Sequence, residues 1–131
     1  MTVGVRLVRA SERTEGATTP GMIREEAVST PGMWAGLVRT EPGMTSGWHH
    51  HGAFESVIHV TSGVFRMEFG PGGGHVLEAL PGDFLYVDRA AIHRESNPGG
   101  EECRAVVVRA GHGEPVFNVD GPEPPHGRAT Y

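Results

Sequence analysis

Cysteine is nearly absent. Cys103 stands alone, so neither a disulfide framework nor a CxxC metal or redox site can be assembled from this chain. Clustered positive charge is missing too. The 11 basic residues are outnumbered by 16 acidic ones, for a net charge of −5, and they are scattered. A nucleic-acid partner is therefore not expected. No apolar run in residues 1–20 has signal-peptide length, and no stretch reaches membrane-spanning length. The expectation is a cytoplasmic protein without a membrane partner. Long helical stretches are also lacking, because 20 glycines and 10 prolines punctuate the chain. Its 131 residues suffice for one core and not two, so a single domain over 1–131 is expected.

What is present reads as short strands. Alternation or apolar content marks strands at 3–8, 33–39, 56–60, 64–69, 75–79, 83–87 and 103–109. Residues 22–28 fit a strand or a helical turn, and 88–102 read as a turn region. The glycine run Gly70 to Gly74 lacks a following helix and a Lys-Ser/Thr pair, so it reads as a hairpin tip, not a phosphate loop. The core is expected at about 33–110, with a Pro-rich tail over 111–131 lying across the surface or a partner subunit. Short sheets leave edges to cover, and segment 3–8 and the tail suit that purpose. A two-fold homodimer is expected.

The chemistry concentrates in Gly47 to Gly63, where His49, His50 and His51 follow one another and Glu55 comes four residues later. On an extended strand, residues two apart share a face, so His49 and His51 project together and His50 the other way. Two neutral imidazoles with a nearby carboxylate suit a divalent ion such as iron, manganese, nickel or zinc. His93 is the other histidine framed by strands and followed by a turn-forming Asn97.

These features resemble a small single-domain cupin. The first motif of that family is Gly-x5-His-x-His-x3–4-Glu-x6-Gly. Pro42-Gly43, the histidine run and Gly63 fit that frame. The second motif is Gly-x5-Pro-x-Gly-x2-His-x3-Asn. Gly82, His93 and Asn97 match it, with Asp88 at the Pro position and Ala90 at the Gly position. The resemblance implies an all-β fold, a double-stranded β-helix or jelly-roll barrel. It also implies one divalent metal held by His49, His51 and His93, with Glu55 as the fourth ligand. Counted back from Gly63, however, the carboxylate position falls on Ser56. Two arrangements follow: an inward Glu55 on or beside the metal, or an inward Ser56 with a three-histidine site.

Further residues carry weaker expectations. His59 shares the face of Glu55 by alternation, and these two are the candidate acid–base groups. Phe84 and Tyr86 are candidate pocket residues. His75, His112 and His126 read as solvated, and Cys103 as a small buried group. The function expected is a metal-dependent enzyme acting on a small organic molecule, of dioxygenase, lyase, cyclase or isomerase type. The alternatives are a non-catalytic sensor or carrier of a metal and small ligand, and a metal-free barrel.

Overall fold

In the computed structural model, which describes residues 4–16 and 20–125, strand alternation sorts the side chains into an apolar interior and a polar end. The strands are β1 (Thr14–Glu15), β2 (Met22–Thr30), β3 (Met33–Thr40), β4 (His49–His50) and β5 (Glu55–Ser62). There follow β6 (Phe65–Phe69), β7 (His75–Ala79), β8 (Phe84–Val87), β9 (His93–Ser96), β10 (Cys103–Ala110) and β11 (Phe117–Asn118). They form a six-stranded sheet ordered β1-β2-β3-β10-β5-β8 and a five-stranded sheet ordered β11-β4-β9-β6-β7, with every strand pair antiparallel. The architecture is the all-β jelly roll expected from the sequence. Among the described residues no helix is long and apolar enough to cross a membrane.

Successive inward residues of β10 are Cys103, Ala105, Val107 and Arg109, running from apolar to charged. β5 lies antiparallel to it and presents Ser56, Ile58 and Val60 inward. Register sets Ser56 opposite Arg109, Ile58 opposite Val107, and Val60 opposite Ala105. One end of the barrel is thereby plugged by apolar groups, among them Val60, Cys103 and Ala105, each no more than 1% exposed. Burying a side chain of Val or Phe size contributes about 1.5–3 kcal/mol. The other end of the barrel carries the polar groups.

Several expectations are refined. The stretch 22–28 is a strand, extending to Thr30, because β3 pairs with it along its length. The presumed turn region 88–102 contains β9, which pairs with both β4 and β6. Residues 4–9 form no strand, and Val5 is 93% exposed; Val3 lies outside the described residues. The tail adds β11, which pairs with β4.

Asn97 closes the loop after β9. Its side-chain amide donates to the carbonyls of Thr40 and Glu101 at 3.0 and 2.9 Å, and its side-chain oxygen accepts from the Gly99 amide at 2.9 Å. At 1% exposure no water can replace these bonds. Asn97→Ala should therefore lower unfolding free energy by about 2–4 kcal/mol in urea titration. A loss below about 1 kcal/mol would contradict this role for the side chain.

Candidate metal centre

β4 and β9 are neighbours in the five-stranded sheet, and their register places His49 opposite His93. Alternation then does the rest. His51, two residues beyond His49, points inward with it, and both are buried at 5% and 6% exposure. Glu95, two beyond His93, points inward in the same way. The four side chains each offer one ligand atom, and all four atoms lie within 4.8 Å of one another. The three imidazoles form a nearly regular triangle, with centroid separations of 4.5, 5.1 and 5.1 Å.

Backbone carbonyls hold each ring. His49 Nδ1 lies 3.0 Å from the Gly47 carbonyl, His51 Nδ1 2.7 Å from that of Pro115, and His93 Nδ1 2.8 Å from that of Ala91. A carbonyl can only accept, so each Nδ1 donates its proton. Nε2 is left as the nitrogen that can bind a cation. The tail thus orients His51, although 64 residues separate Pro115 from it. The Ala91 carbonyl follows Ala90, whose φ of +57° occupies the position where the family motif carries glycine.

Glu95 Oε2 lies 3.1 Å from His93 Nε2 and 3.5 Å from His49 Nε2. Burial alone would raise the Glu95 carboxyl, but hydrogen bonds and charge from these two histidines outweigh it and hold the group well below the usual range. Burial likewise depresses His49, yet Glu95 more than compensates and leaves it raised. His51 is driven down to about 4 by burial, then by the Arg109 charge. Near neutral pH the cluster therefore offers an ionised carboxylate and a neutral His51. A cation entering it competes with the proton on His49, so its affinity weakens as pH falls. Three imidazole nitrogens and one carboxylate, all pre-oriented and buried, fit a divalent transition-metal ion.

Glu55, expected as the fourth ligand, is elsewhere. It faces the outside of β5, where it accepts from Tyr86 Oη at 2.9 Å and pairs with Arg89 at 2.9 Å. The β5–β10 register puts Ser56 inward instead. His59 also faces outward and stacks on Phe84 at 4.2 Å, so neither Glu55 nor His59 reaches the cluster as an acid–base group. Phe84 and Tyr86 are 68% and 59% exposed on that same outer face; Leu85 and Val87 point into the barrel. His50 stacks on Phe117, at 4.9 Å, away from the cluster. His75 and His112 are exposed, His126 lies outside the described residues, and the buried Cys103 thiol is pushed up to about 11, chiefly by burial. Glu95 escaped the sequence reading because 88–102 looked like a turn. The pattern His93-Arg94-Glu95 carries the same period-two signal as His49-His50-His51.

Beside the cluster lies an inner cavity of about 20 Å³, bordered by His51, His93, Glu95, Ser56, Arg24 and Arg109. An outer cleft of about 650 Å³ adjoins it, sharing Arg24 and Arg109 as lining. That is the size of a small-molecule site.

The family model described as "Cupin domain" matches residues 36–109, more than half of the chain, and the chain belongs to that family. No curated protein sequence matches it. Solved structures similar to it include the polyketide cyclase RemF from Streptomyces resistomycificus, with 20% identity, TM-score 0.74 and coverage of 93% of this chain and 90% of the other. KdgF from Halomonas sp. has 18% identity, TM-score 0.69 and coverage of 82% and 96%. Bacillus subtilis oxalate decarboxylase, in a study of its Mn(II) centers, has 23% identity and TM-score 0.69 over 81% of this chain but 30% of its own. At these identities the likeness is one of fold.

The Glu55 and Glu95 assignments separate under mutation. Glu95→Gln should weaken binding of a divalent metal at least about tenfold, whereas Glu55→Gln should leave it unchanged. Metal content after dialysis against a weak chelator reads the difference. Loss in Glu55→Gln with retention in Glu95→Gln would reverse the assignment.

Proposed function

We propose that the chain is a metal-dependent enzyme that transforms a small organic molecule inside the barrel. The observation that carries the proposal is the cluster of His49, His51, His93 and Glu95, whose ligand atoms all lie within 4.8 Å of one another while each histidine Nδ1 lies against a backbone carbonyl. A divalent ion held there would supply Lewis acidity to a substrate oxygen, and one-electron chemistry if it were redox-active. The residues would do the remainder. Glu95 would offset part of the ion's charge. Ile58, Phe65, Val87 and Val107 wall the inner cavity and would limit water beside the reacting group. The two arginines stand where the outer cleft meets the inner cavity. Dioxygenase, lyase, cyclase and isomerase chemistry all fit such a centre. The cyclase and decarboxylase among the structural neighbours support an enzymatic reading, as does the manganese in one of them.

We also propose a cytoplasmic homodimer. Its support is apolar surface on two elements: Val5 and Leu7 at 93% and 68% exposure, and Phe84 and Tyr86 on the outer face of β8. Light scattering at micromolar concentration should give twice the chain mass, and a monomer would remove the proposal.

The enzymatic reading is tested on protein purified without affinity metal. Elemental analysis should return about one iron, manganese, nickel or zinc ion per chain, and His93→Ala should carry none. A panel of small oxygenated acids and ketones, followed by mass spectrometry, should show turnover that disappears in His93→Ala. Metal retained with ligand bound but unchanged would favour a sensor or carrier. No metal at all would contradict both.

A further inference from the structure

Two polar groups at the inner cavity have no partner. Ser56 Oγ and Arg109 Nε are both buried without a hydrogen bond, in residues 4% and 9% exposed. They are direct cross-strand neighbours, Ser56 on β5 and Arg109 on β10, and both side chains border the inner cavity alongside His51, His93 and Glu95. Leaving such groups unsatisfied forfeits their hydration with nothing in return, and the loss is greater when one is charged. Buried orphans of this kind ask for an occupant.

The surroundings specify its charge. Arg109 lies against the Trp34 ring, its guanidinium carbon 4.9 Å from the ring centre. The indole in turn donates a 2.9 Å hydrogen bond to Glu26, a carboxylate that borders the outer cleft and not the inner cavity. Arg24 also borders the inner cavity; burial lowers the Arg109 pKa most, the Glu95 charge raises it, and the Arg24 charge lowers it by less. Glu95 is the one carboxylate among the residues bordering that cavity, and it is hydrogen-bonded to His49 and His93. The Arg109 guanidinium therefore borders this cavity as a cation with its Nε unbonded, and a divalent ion in the cluster would add positive charge beside it.

We propose that the inner cavity binds the carboxylate of an organic acid substrate, with Arg109 donating from its guanidinium, Ser56 from its hydroxyl, and the rest of the substrate lying in the outer cleft. A planar guanidinium is matched to a planar carboxylate, which it can meet with two parallel hydrogen bonds. The inner cavity, of about 20 Å³, has room for little more than one small polar group, whereas the outer cleft of about 650 Å³ can take the body of the molecule. This inference names the substrate class for the site in the proposed function and rests on that reading only for the reaction that follows binding.

The test uses propionate and its neutral isostere propionamide as probes, titrated calorimetrically into the protein at its natural metal content and again after chelation. Propionate should bind at least about tenfold more tightly than propionamide. Arg109→Gln should erase that preference, and Arg109→Lys should restore part of it. Ser56→Ala, a small change less able to disturb folding, should weaken propionate several-fold while leaving propionamide nearly unaffected. Melting curves establish that each variant is folded. Equal binding of the two probes, or no binding of either, would overturn the proposal. Propionate binding that survives Arg109→Gln would place the carboxylate on the metal alone, which also overturns it. A chain that holds no metal yet prefers propionate through Arg109 would sink the metal-enzyme reading and leave this inference intact.

Discussion

The two-residue alternation of side chains along a strand is the constraint on which this molecule depends. It pairs His49 with His51 and His93 with Glu95, and the β4–β9 register then brings the pairs face to face. A one-residue slip of either strand would turn its whole inward set outward. The same rule across the other sheet lines up Ser56, Arg109 and Trp34 in one row and the apolar groups in the rows beyond. The polar end of the barrel is therefore a product of register.

Holding these groups inside costs free energy that the apolar end has to offset. An ionised carboxylate out of water is expensive unless it is paired and hydrogen-bonded. Glu95 meets that condition through His49 and His93. The histidines satisfy their second nitrogens on the carbonyls of Gly47, Pro115 and Ala91. Among the described residues bordering the inner cavity, Arg109 Nε and Ser56 Oγ are buried with nothing to bond. These two unsatisfied groups lie beside the four-residue cluster and are the ones the proposed carboxylate would satisfy.

The fold was legible because glycine and proline divide the chain into strand-length pieces and because two spaced motifs match a known frame. The three histidines were legible for the same reason. The fourth member of the cluster was not. Glu55 satisfies the forward spacing from His51, but spacing cannot show which face a residue takes when Gly52 and Ala53 turn the chain before β5 begins. Pairing with β10 decides that point, and pairing is a long-range property. Glu95 was hidden by Pro98, Gly99 and Gly100, which gave its whole neighbourhood the look of a loop. Phe84 and Tyr86 were misassigned because alternation tells which residues share a face without telling which face is inside. Leu85 and Val87 hold the inward positions, where aliphatic groups complete the core.

The most direct measurement is anomalous diffraction from crystals of the metal-loaded protein, with data collected at the absorption edges of iron, manganese, nickel and zinc. One strong anomalous peak is expected, coordinated by Nε2 of His49, His51 and His93 and by a Glu95 oxygen, at about 2.0–2.2 Å. A peak bonded to Glu55 in place of Glu95, or no peak at this cluster after saturation with all four metals, would contradict it.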